Sequence, residues 1–221
     1  MPRRGPTATP PHSRSPSDAA DGVDPTADRL GEFLEVMRQL RAECSWKREQ
    51  THRSLARYLL EETHETLEAI DTGDPDHLRE ELGDLLLQVY FHAVIAEEAG
   101  EFTLDDVAGD IIDKMRRRNP HVFPPPGEER APAGDAASVN EVWESIKATE
   151  KARDSVLEGL PHGLPALLYA DKVLDRLERT GRPARVGGDD IGERLLQIVA
   201  EAREAGVDPE QALRDAVRRL L

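Results

Sequence analysis

Two short groups of acidic residues are the part of this sequence best suited to chemistry. Residues 61–65 read Glu-Glu-Thr-His-Glu and residues 81–84 read Glu-Leu-Gly-Asp. Each group places carboxylates three positions apart, a spacing that puts them on one face of a helix. Because the chain carries 44 acidic against 29 basic residues, a solvated acidic face is the ordinary explanation for such a pair.

The residues around the acids favour a location inside the fold. At 100° per residue, Glu62 falls between Leu55 and Tyr58 on the apolar side of its helix. Residues 82–96 are apolar nearly all round, a pattern typical of a buried helix. The polar residues of that helix follow one stripe, which we expect to run through the interior: Glu81, Asp84, Gln88 and His92.

Carboxylates that face each other inside a protein need a counter-charge. At 4 Å and an effective dielectric of 20, each pair repels by ~4 kcal/mol, which is large against a total stability of ~5–15 kcal/mol. Either the groups take up protons or a hard divalent cation binds among them. An all-oxygen ligand set favours Mg²⁺ or Mn²⁺ over zinc or copper. Such a site binds substrate phosphates and activates a bound water.

A group of positive side chains, Lys114 to Arg118, closes a later predicted helix. In an acidic chain it is a candidate for contact with phosphates. Basic residues also suit any helix C-terminus because they oppose the helix dipole, so both interpretations stay open.

The sequence predicts an all-α fold. Strand signals are nearly absent, aromatic residues make up 4% of the chain, and apolar residues recur at helical spacing. Residues 1–28 are rich in proline, serine and alanine and are predicted to form a disordered tail. Ser54 is a plausible N-cap, and a loop is expected from Asn119 to about Ala137. The predicted helices are 27–43, 54–71, 76–99, 104–118, 139–149, 165–179, 189–205 and 209–221.

The order of these motifs resembles the MazG family of all-α nucleoside triphosphate pyrophosphohydrolases, over about Leu30 to Arg153. The resemblance is carried by Cys44-Ser45-Trp46, Gln50-Thr51-His52, residues 58–65, residues 80–86, Lys114 to Arg118 with Pro120 to Phe123, Trp143 and Lys147. It implies a helical bundle that forms an obligate homodimer. It also implies Mg²⁺-dependent hydrolysis between the alpha and beta phosphates, with a housecleaning role on the nucleotide pool.

The resemblance also implies a role for individual residues. Glu61 is similar to a family acid that helps bind a metal or orients the attacking water, so it is expected to be catalytic together with Glu62. The expected Mg²⁺ ligands are Glu62, Glu65, Glu81 and Asp84. The expected substrate-binding residues are Lys114, Arg117, Arg118, Trp143 and Lys147.

The C-terminal part contains a partial internal repeat. Residues 189–198 align with residues 80–89 at a constant offset, with matching Gly, Leu, Leu and Gln. The tail resembles the second domain of two-domain family members, but Asp190 and Glu193 stand where the metal acids belong and no E-E-x-x-E helix precedes them. We therefore predict a MazG-type domain over residues 29–153 and a degenerate second repeat over residues 154–221.

Charge and cysteine content bound the partners and the compartment. A net charge of −15 disfavours nucleic-acid binding, and no apolar run approaches the ~20 residues of a membrane span. A single cysteine, Cys44, and the lack of a secretory pattern favour the cytoplasm. A di-iron bundle would need Glu-x-x-His on two helices, which this cluster lacks. A non-catalytic helical module that binds metal for interaction or regulation is the remaining alternative.

Overall fold

The computed structural model describes residues 25–127, 129, 134–150, 155–182 and 184–220. Within these ranges the regular elements are all α-helices, which confirms the predicted all-α class. Residues 1–24 of the predicted tail lie outside the described residues, whereas its last four residues belong to the first helix. The helices are α1 (Pro25–Glu43), α2 (Ser45–Arg48), α3 (His52–Thr72), α4 (Pro75–Ala99), α5 (Leu104–Arg118), α6 (Ala136–Glu150), α7 (Ala166–Arg179), α8 (Ile191–Glu204) and α9 (Pro209–Arg218).

Local side chains set the ends of α3 and α4. The N-cap of α3 is Thr51 and the predicted cap at Ser54 is wrong: Ser54 is the third helical residue, and the two residues form a reciprocal capping box. α3 ends at Gly73, whose φ of 71° is the left-handed conformation that glycine adopts most easily. Asp74 then accepts the N–H groups of Asp76 and His77 and starts α4. This tight connection makes α3 and α4 an antiparallel hairpin.

The core of the first compact unit lies where α1 packs against this hairpin. Its fully packed residues come from all three helices: Met37, Leu55, Tyr90, Phe91 and Val94. The Tyr90 hydroxyl donates to the carbonyl of Leu30 at 3.2 Å, so the phenol is buried with its polar end paired. This packing holds the start of α3 against the last turns of α4.

Arg41 ties the short helix α2 to this core. Its Nε donates to Glu98 at 2.9 Å, and its Nη1 donates to the carbonyls of Arg48 and Gln50, each at 3.1 Å. It also donates to the carbonyl of Lys47. One buried guanidinium therefore binds three backbone carbonyls around the turn between α2 and α3 as well as the Glu98 carboxylate.

The prediction that α4 is buried all round is wrong for one side of the helix. Three apolar residues at helical spacing are exposed, Leu82 by 52%, Leu86 by 36% and Val89 by 45%. We call these three residues the α4 apolar stripe. α1 and α3 pack on the other sides of α4. The apolar pattern of α4 therefore identified hydrophobic surface, but it did not show which of that surface the chain itself covers.

The second compact unit begins within α5, between Ala108 and Gly109. In it, α7, α8 and α9 pack on one another around Leu174, Val199 and Pro209. This division differs from the predicted boundary at residue 153, and the predicted domain roles stay predictions. Within the described residues no helix has the length and apolarity needed to cross a membrane.

Candidate active site

Three carboxylates from α3 and α4 converge. One oxygen each of Glu62, Glu81 and Asp84 lies within 4.8 Å of the other two. The hairpin explains the meeting, because Glu62 and Asp84 lie at equal sequence distances before and after Gly73. Acids that are separate in sequence thus form one cluster in the first unit, and we call it the carboxylate cluster.

The cluster is partly withdrawn from water. Glu81 is buried, with 8% exposure, while Glu62 and Asp84 are half-buried. One Glu81 oxygen lies 3.2 Å from Nε2 of His77. Its other oxygen, Oε2, is buried and makes no hydrogen bond with the described part of the chain. A buried carboxylate oxygen without a hydrogen-bond donor lowers the stability of the fold. Glu81 Oε2 is therefore available to bind a ligand.

Burial and neighbouring charge both raise the pKa of Glu62 above its ordinary value. Burial is the largest cause, followed by the negative charges of Asp84, Glu65 and Glu81. A hydrogen bond between Glu62 and Glu65 adds to the shift. The metal-free cluster therefore holds more negative charge than its surroundings stabilise.

The cluster fits a hard divalent cation. In an octahedron with Mg–oxygen distances of about 2.1 Å, two ligand oxygens lie about 3 Å apart when adjacent and about 4 Å apart when opposite. The 4.8 Å within which the three oxygens lie therefore needs shifts of only about 1 Å. A cation would also supply the partner that Glu81 Oε2 lacks and offset the repulsion that raises the pKa of Glu62.

The remaining predicted acids lie at the edge of this arrangement. Glu65 is exposed on α3 beside Glu62 and is not one of the three converging residues. Glu61 is also exposed. The roles predicted for both residues stay predictions.

The polar stripe of α4 continues away from the cluster. Gln88 is 4% exposed, and its Oε1 makes no hydrogen bond with the described residues. His92 stacks on His52 with ring centroids 5.0 Å apart and a 2.7 Å contact between the two Nδ1 atoms. Burial, followed by the charge of His52, lowers the pKa of His92. His92 is thus paired with a histidine of α3, which the sequence pattern did not indicate.

The predicted substrate-binding residues belong to the second unit, where most of them form a network on α5 and α6. Two cations contact the ring of Trp143: the Arg118 guanidinium carbon is 4.8 Å from its ring centroid and Lys147 Nζ is 5.0 Å from it. Both distances suit cation–π contact. Lys114 is half-buried on α5.

Two acids that the sequence analysis missed hold this network together. Glu150 accepts hydrogen bonds from Arg117 and Arg118, and Glu144 contacts Lys147 Nζ at 3.1 Å. The signal was available in the spacing of α6, because positions 143, 147 and 150 share a helical face. Acidic residues are so common in this chain that the spacing alone did not single them out.

Comparison with known proteins identifies the family of this chain. Residues 50–123 match the family model described as the MazG nucleotide pyrophosphohydrolase domain, a stretch that contains the whole carboxylate cluster. The nucleoside triphosphate pyrophosphohydrolase of Escherichia coli K12 is 41% identical over 187 residues, which cover 82% of this chain and 69% of that protein. The chain therefore belongs to the MazG family of nucleoside triphosphate pyrophosphohydrolases, as predicted.

Other relatives differ in how much of their length the chain spans. An uncharacterized 26.1 kDa protein of Streptomyces cacaoi is 45% identical, with coverage of 85% of this chain and 78% of that one. A nucleoside triphosphate pyrophosphohydrolase of Mycobacterium tuberculosis is 45% identical, but the chain spans only 55% of its length. A solved MazG-related protein of Thermotoga maritima is 24% identical with a TM-score of 0.45, covering 53% of this chain and 97% of that one.

Proposed function

We propose that this chain hydrolyses nucleoside triphosphates between the alpha and beta phosphates, yielding a nucleoside monophosphate and pyrophosphate. The observation that carries the proposal is the convergence of Glu62, Glu81 and Asp84 within 4.8 Å. The family supplies the reaction, since its E. coli member is a nucleoside triphosphate pyrophosphohydrolase. The proposal places the enzyme in the cytoplasm as a housecleaning activity on the nucleotide pool.

Mg²⁺ is the proposed cofactor, with Mn²⁺ as a substitute, and its ligands would be Glu62, Glu81 and Asp84, with Glu65 as a fourth. When bound, such a cation lowers the pKa of a coordinated water and neutralises charge on the phosphates. Glu81 contributes a buried oxygen for which the described residues supply no donor, and the hairpin holds Glu62 near Asp84. Glu61, exposed beside Glu62, is proposed to orient the attacking water.

Phosphate binding is assigned to Lys114, Arg117 and Arg118, with Trp143 and Lys147 contacting the nucleotide. The support is the family resemblance together with the cation–π network of these residues in the second unit. Hydrogen-bond donors of fixed orientation stabilise charge that develops on a leaving pyrophosphate without reorganisation during the reaction. No covalent intermediate is needed.

The α4 apolar stripe supports a homodimer. Leu82, Leu86 and Val89 would otherwise expose apolar surface to water beside the carboxylate cluster. Leu86→Glu is expected to convert a dimer into monomers, as measured by light scattering, while Leu86→Met keeps the apolar surface and the dimer. A wild-type chain that is monomeric at all concentrations tested would refute this part of the proposal.

The reaction is tested by product analysis. Purified chain is incubated with a panel of nucleoside triphosphates and Mg²⁺, and the products are separated by ion-exchange chromatography. Monophosphate and pyrophosphate are expected in equal amounts. Glu62→Gln should lower kcat/KM on the order of 10²–10³-fold, whereas Glu68→Gln, an exposed acid on the same helix, should leave it unchanged.

Three results would contradict the proposal. Release of orthophosphate and diphosphate would mean that a different bond is cleaved. Equal activity of Glu62→Gln and wild type would remove the cluster from catalysis. Metal-dependent melting without turnover of any triphosphate would support the non-catalytic module instead.

A further inference from the structure

Two consecutive arginines at the end of α5 share one carboxylate from α6. Glu150 Oε1 accepts from Arg117 Nε at 2.6 Å. Glu150 Oε2 accepts from Arg118 through Nε at 3.1 Å and through Nη2 at 2.6 Å. Both oxygens of a single glutamate are therefore engaged by adjacent residues of another helix.

The geometry of α5 alone does not bring the Arg117 and Arg118 side chains to the same carboxylate. Consecutive residues on a helix point about 100° apart, and two guanidinium groups repel each other when they approach. A carboxylate placed between Arg117 and Arg118 removes the repulsion and turns both groups toward the same point. The same hydrogen bonds, those from Arg118 first, lower the pKa of Glu150 to about 2, so Glu150 is negatively charged at neutral pH.

The two arginines are held in different ways. The Arg118 side chain is only 13% exposed and also lies over the ring of Trp143, so it is fixed from two sides. The Arg117 side chain is 54% exposed and is bound through Nε alone. Its Nη1 and Nη2 groups make no hydrogen bond or ion pair with the described residues, which leaves four N–H donors available.

We infer that Glu150 is a positioning residue that holds Arg117 with its Nη donors presented to the phosphates of the substrate. The inference rests on the proposed function, which assigns phosphate binding to Arg117. Guanidinium groups recognise phosphate oxygens through paired donors in a fixed plane. Fixing that plane in advance reduces the ordering cost of binding.

The opposite role for Glu150 would be to occupy the arginines and compete with phosphate. Competition requires the carboxylate to use the donors that phosphate needs, but in Arg117 it uses only Nε. The two roles predict opposite changes in phosphate affinity when the Glu150 charge is removed. A positioning residue strengthens phosphate binding, whereas a competitor weakens it.

The inference is tested on the full chain with inorganic triphosphate and Mg²⁺ by isothermal titration calorimetry. Glu150→Gln is expected to weaken binding about tenfold, the size of a lost charge-assisted hydrogen bond. Glu141→Gln removes the same charge from an exposed position of α6 and should bind as wild type does. With a nucleoside triphosphate as substrate, Glu150→Gln should raise KM about tenfold and change kcat less than about twofold.

A double-mutant cycle separates positioning from general damage to the fold. If Glu150 acts through Arg117, Glu150→Gln causes little further loss of triphosphate affinity in an Arg117→Ala background. If Glu150→Gln does not fold, Glu150→Asp keeps the charge but shortens its reach, and should weaken binding about threefold. Equal losses in both backgrounds, unchanged binding by the variant measured, or tighter binding would each overturn the inference.

The outcome also separates this inference from the proposed function. Hydrolysis of a nucleoside triphosphate without coupling between Glu150 and Arg117 would sustain the function and overturn the inference. Coupling in triphosphate binding without hydrolysis of any nucleotide would do the reverse, because the calorimetric measurement does not depend on turnover.

Discussion

The sequences of α4 and α8 align at a constant offset that matches Glu81 with Asp190. The acids of the two helices nevertheless have different structural roles. In α4, Glu81 and Asp84 meet Glu62 from α3. In α8, Asp190 is the N-cap, and its side chain accepts the N–H of Glu193 at 2.9 Å. The aligned acid pair belongs to a candidate metal site in α4 and to the N-terminal cap in α8.

The positions around the acids extend the contrast. Gln88 of α4 is buried, whereas the matching Gln197 of α8 is exposed and donates to Glu201 at 3.0 Å. Tyr90 and the matching Val199 are both buried, so the two helices keep the same inward side. The helix that precedes α8, α7, also carries acids, but Asp171 and Asp175 pair with Arg203. Among the described residues, spaced acids converge with carboxylates of the preceding helix only in the α3–α4 hairpin.

The largest expected effect tests this contrast directly. Replacing Glu81 and Asp84 by Gln and Asn should lower kcat/KM on the order of 10³-fold, because the cluster loses two of its three converging carboxylates. The matched change in α8, Asp190→Asn with Glu193→Gln, should leave activity within about twofold, since Asn also caps a helix. Steady-state assays of both double variants measure the ratio, and similar losses in the two would show that α8 takes part in catalysis.

The second prediction compares how much one arginine in each unit contributes to the free energy of unfolding. Arg41, whose side chain is 8% exposed, serves Glu98 and the backbone carbonyls of the α2 turn. Arg203, 20% exposed, serves acids on α7 that remain partly in water. Arg41→Met should cost about 2–4 kcal/mol of unfolding free energy, because buried acceptors lose their donor, whereas Arg203→Met should cost about 1 kcal/mol.

Urea denaturation followed by circular dichroism measures both losses. Arg41→Lys is the control for charge alone, and we expect it to recover only part of the stability because an ammonium cannot reach Glu98 and several carbonyls together. A larger loss for Arg203→Met than for Arg41→Met would contradict the assignment of Arg41 as the buried centre of the first unit.

Much of the fold was predictable because helical periodicity and turn residues are local signals. The break between the predicted helices 54–71 and 76–99 coincides with the observed turn at Gly73 and Asp74. The prediction that Glu62 faces the interior followed from the apolar residues around it. The α4 apolar stripe was assigned to the interior because an apolar side chain does not reveal whether its own chain covers it. The contact of Glu150 with α5 was missed because acidic residues are so common in this chain that the shared helical face of positions 143, 147 and 150 did not single Glu150 out.

The smallest expected effect concerns the protonation of the cluster. The folded chain holds the pKa of Glu62 above the ordinary value of 4.5. Between the ordinary pKa and the raised pKa of Glu62, the folded state binds more protons than the unfolded state. The unfolding free energy therefore falls as pH rises through that window. In EDTA at pH 7, Glu62→Gln should therefore melt on the order of 2–4 °C above wild type, and the difference should vanish as pH falls below about 4.5.

Mg²⁺ should reverse the order of the two melting temperatures, because only wild type gains a complete set of ligands and binding to the folded state stabilises it. Glu193→Gln is the matched control on α8: its carboxylate is exposed, so its loss should change neither the EDTA melting temperature nor the response to Mg²⁺. A Glu62→Gln variant that melts below wild type in EDTA would mean that the metal-free carboxylate is stabilised by its surroundings. In that case the acids of α4 would resemble those of α8, and the case for a cation in the cluster would lose its electrostatic basis.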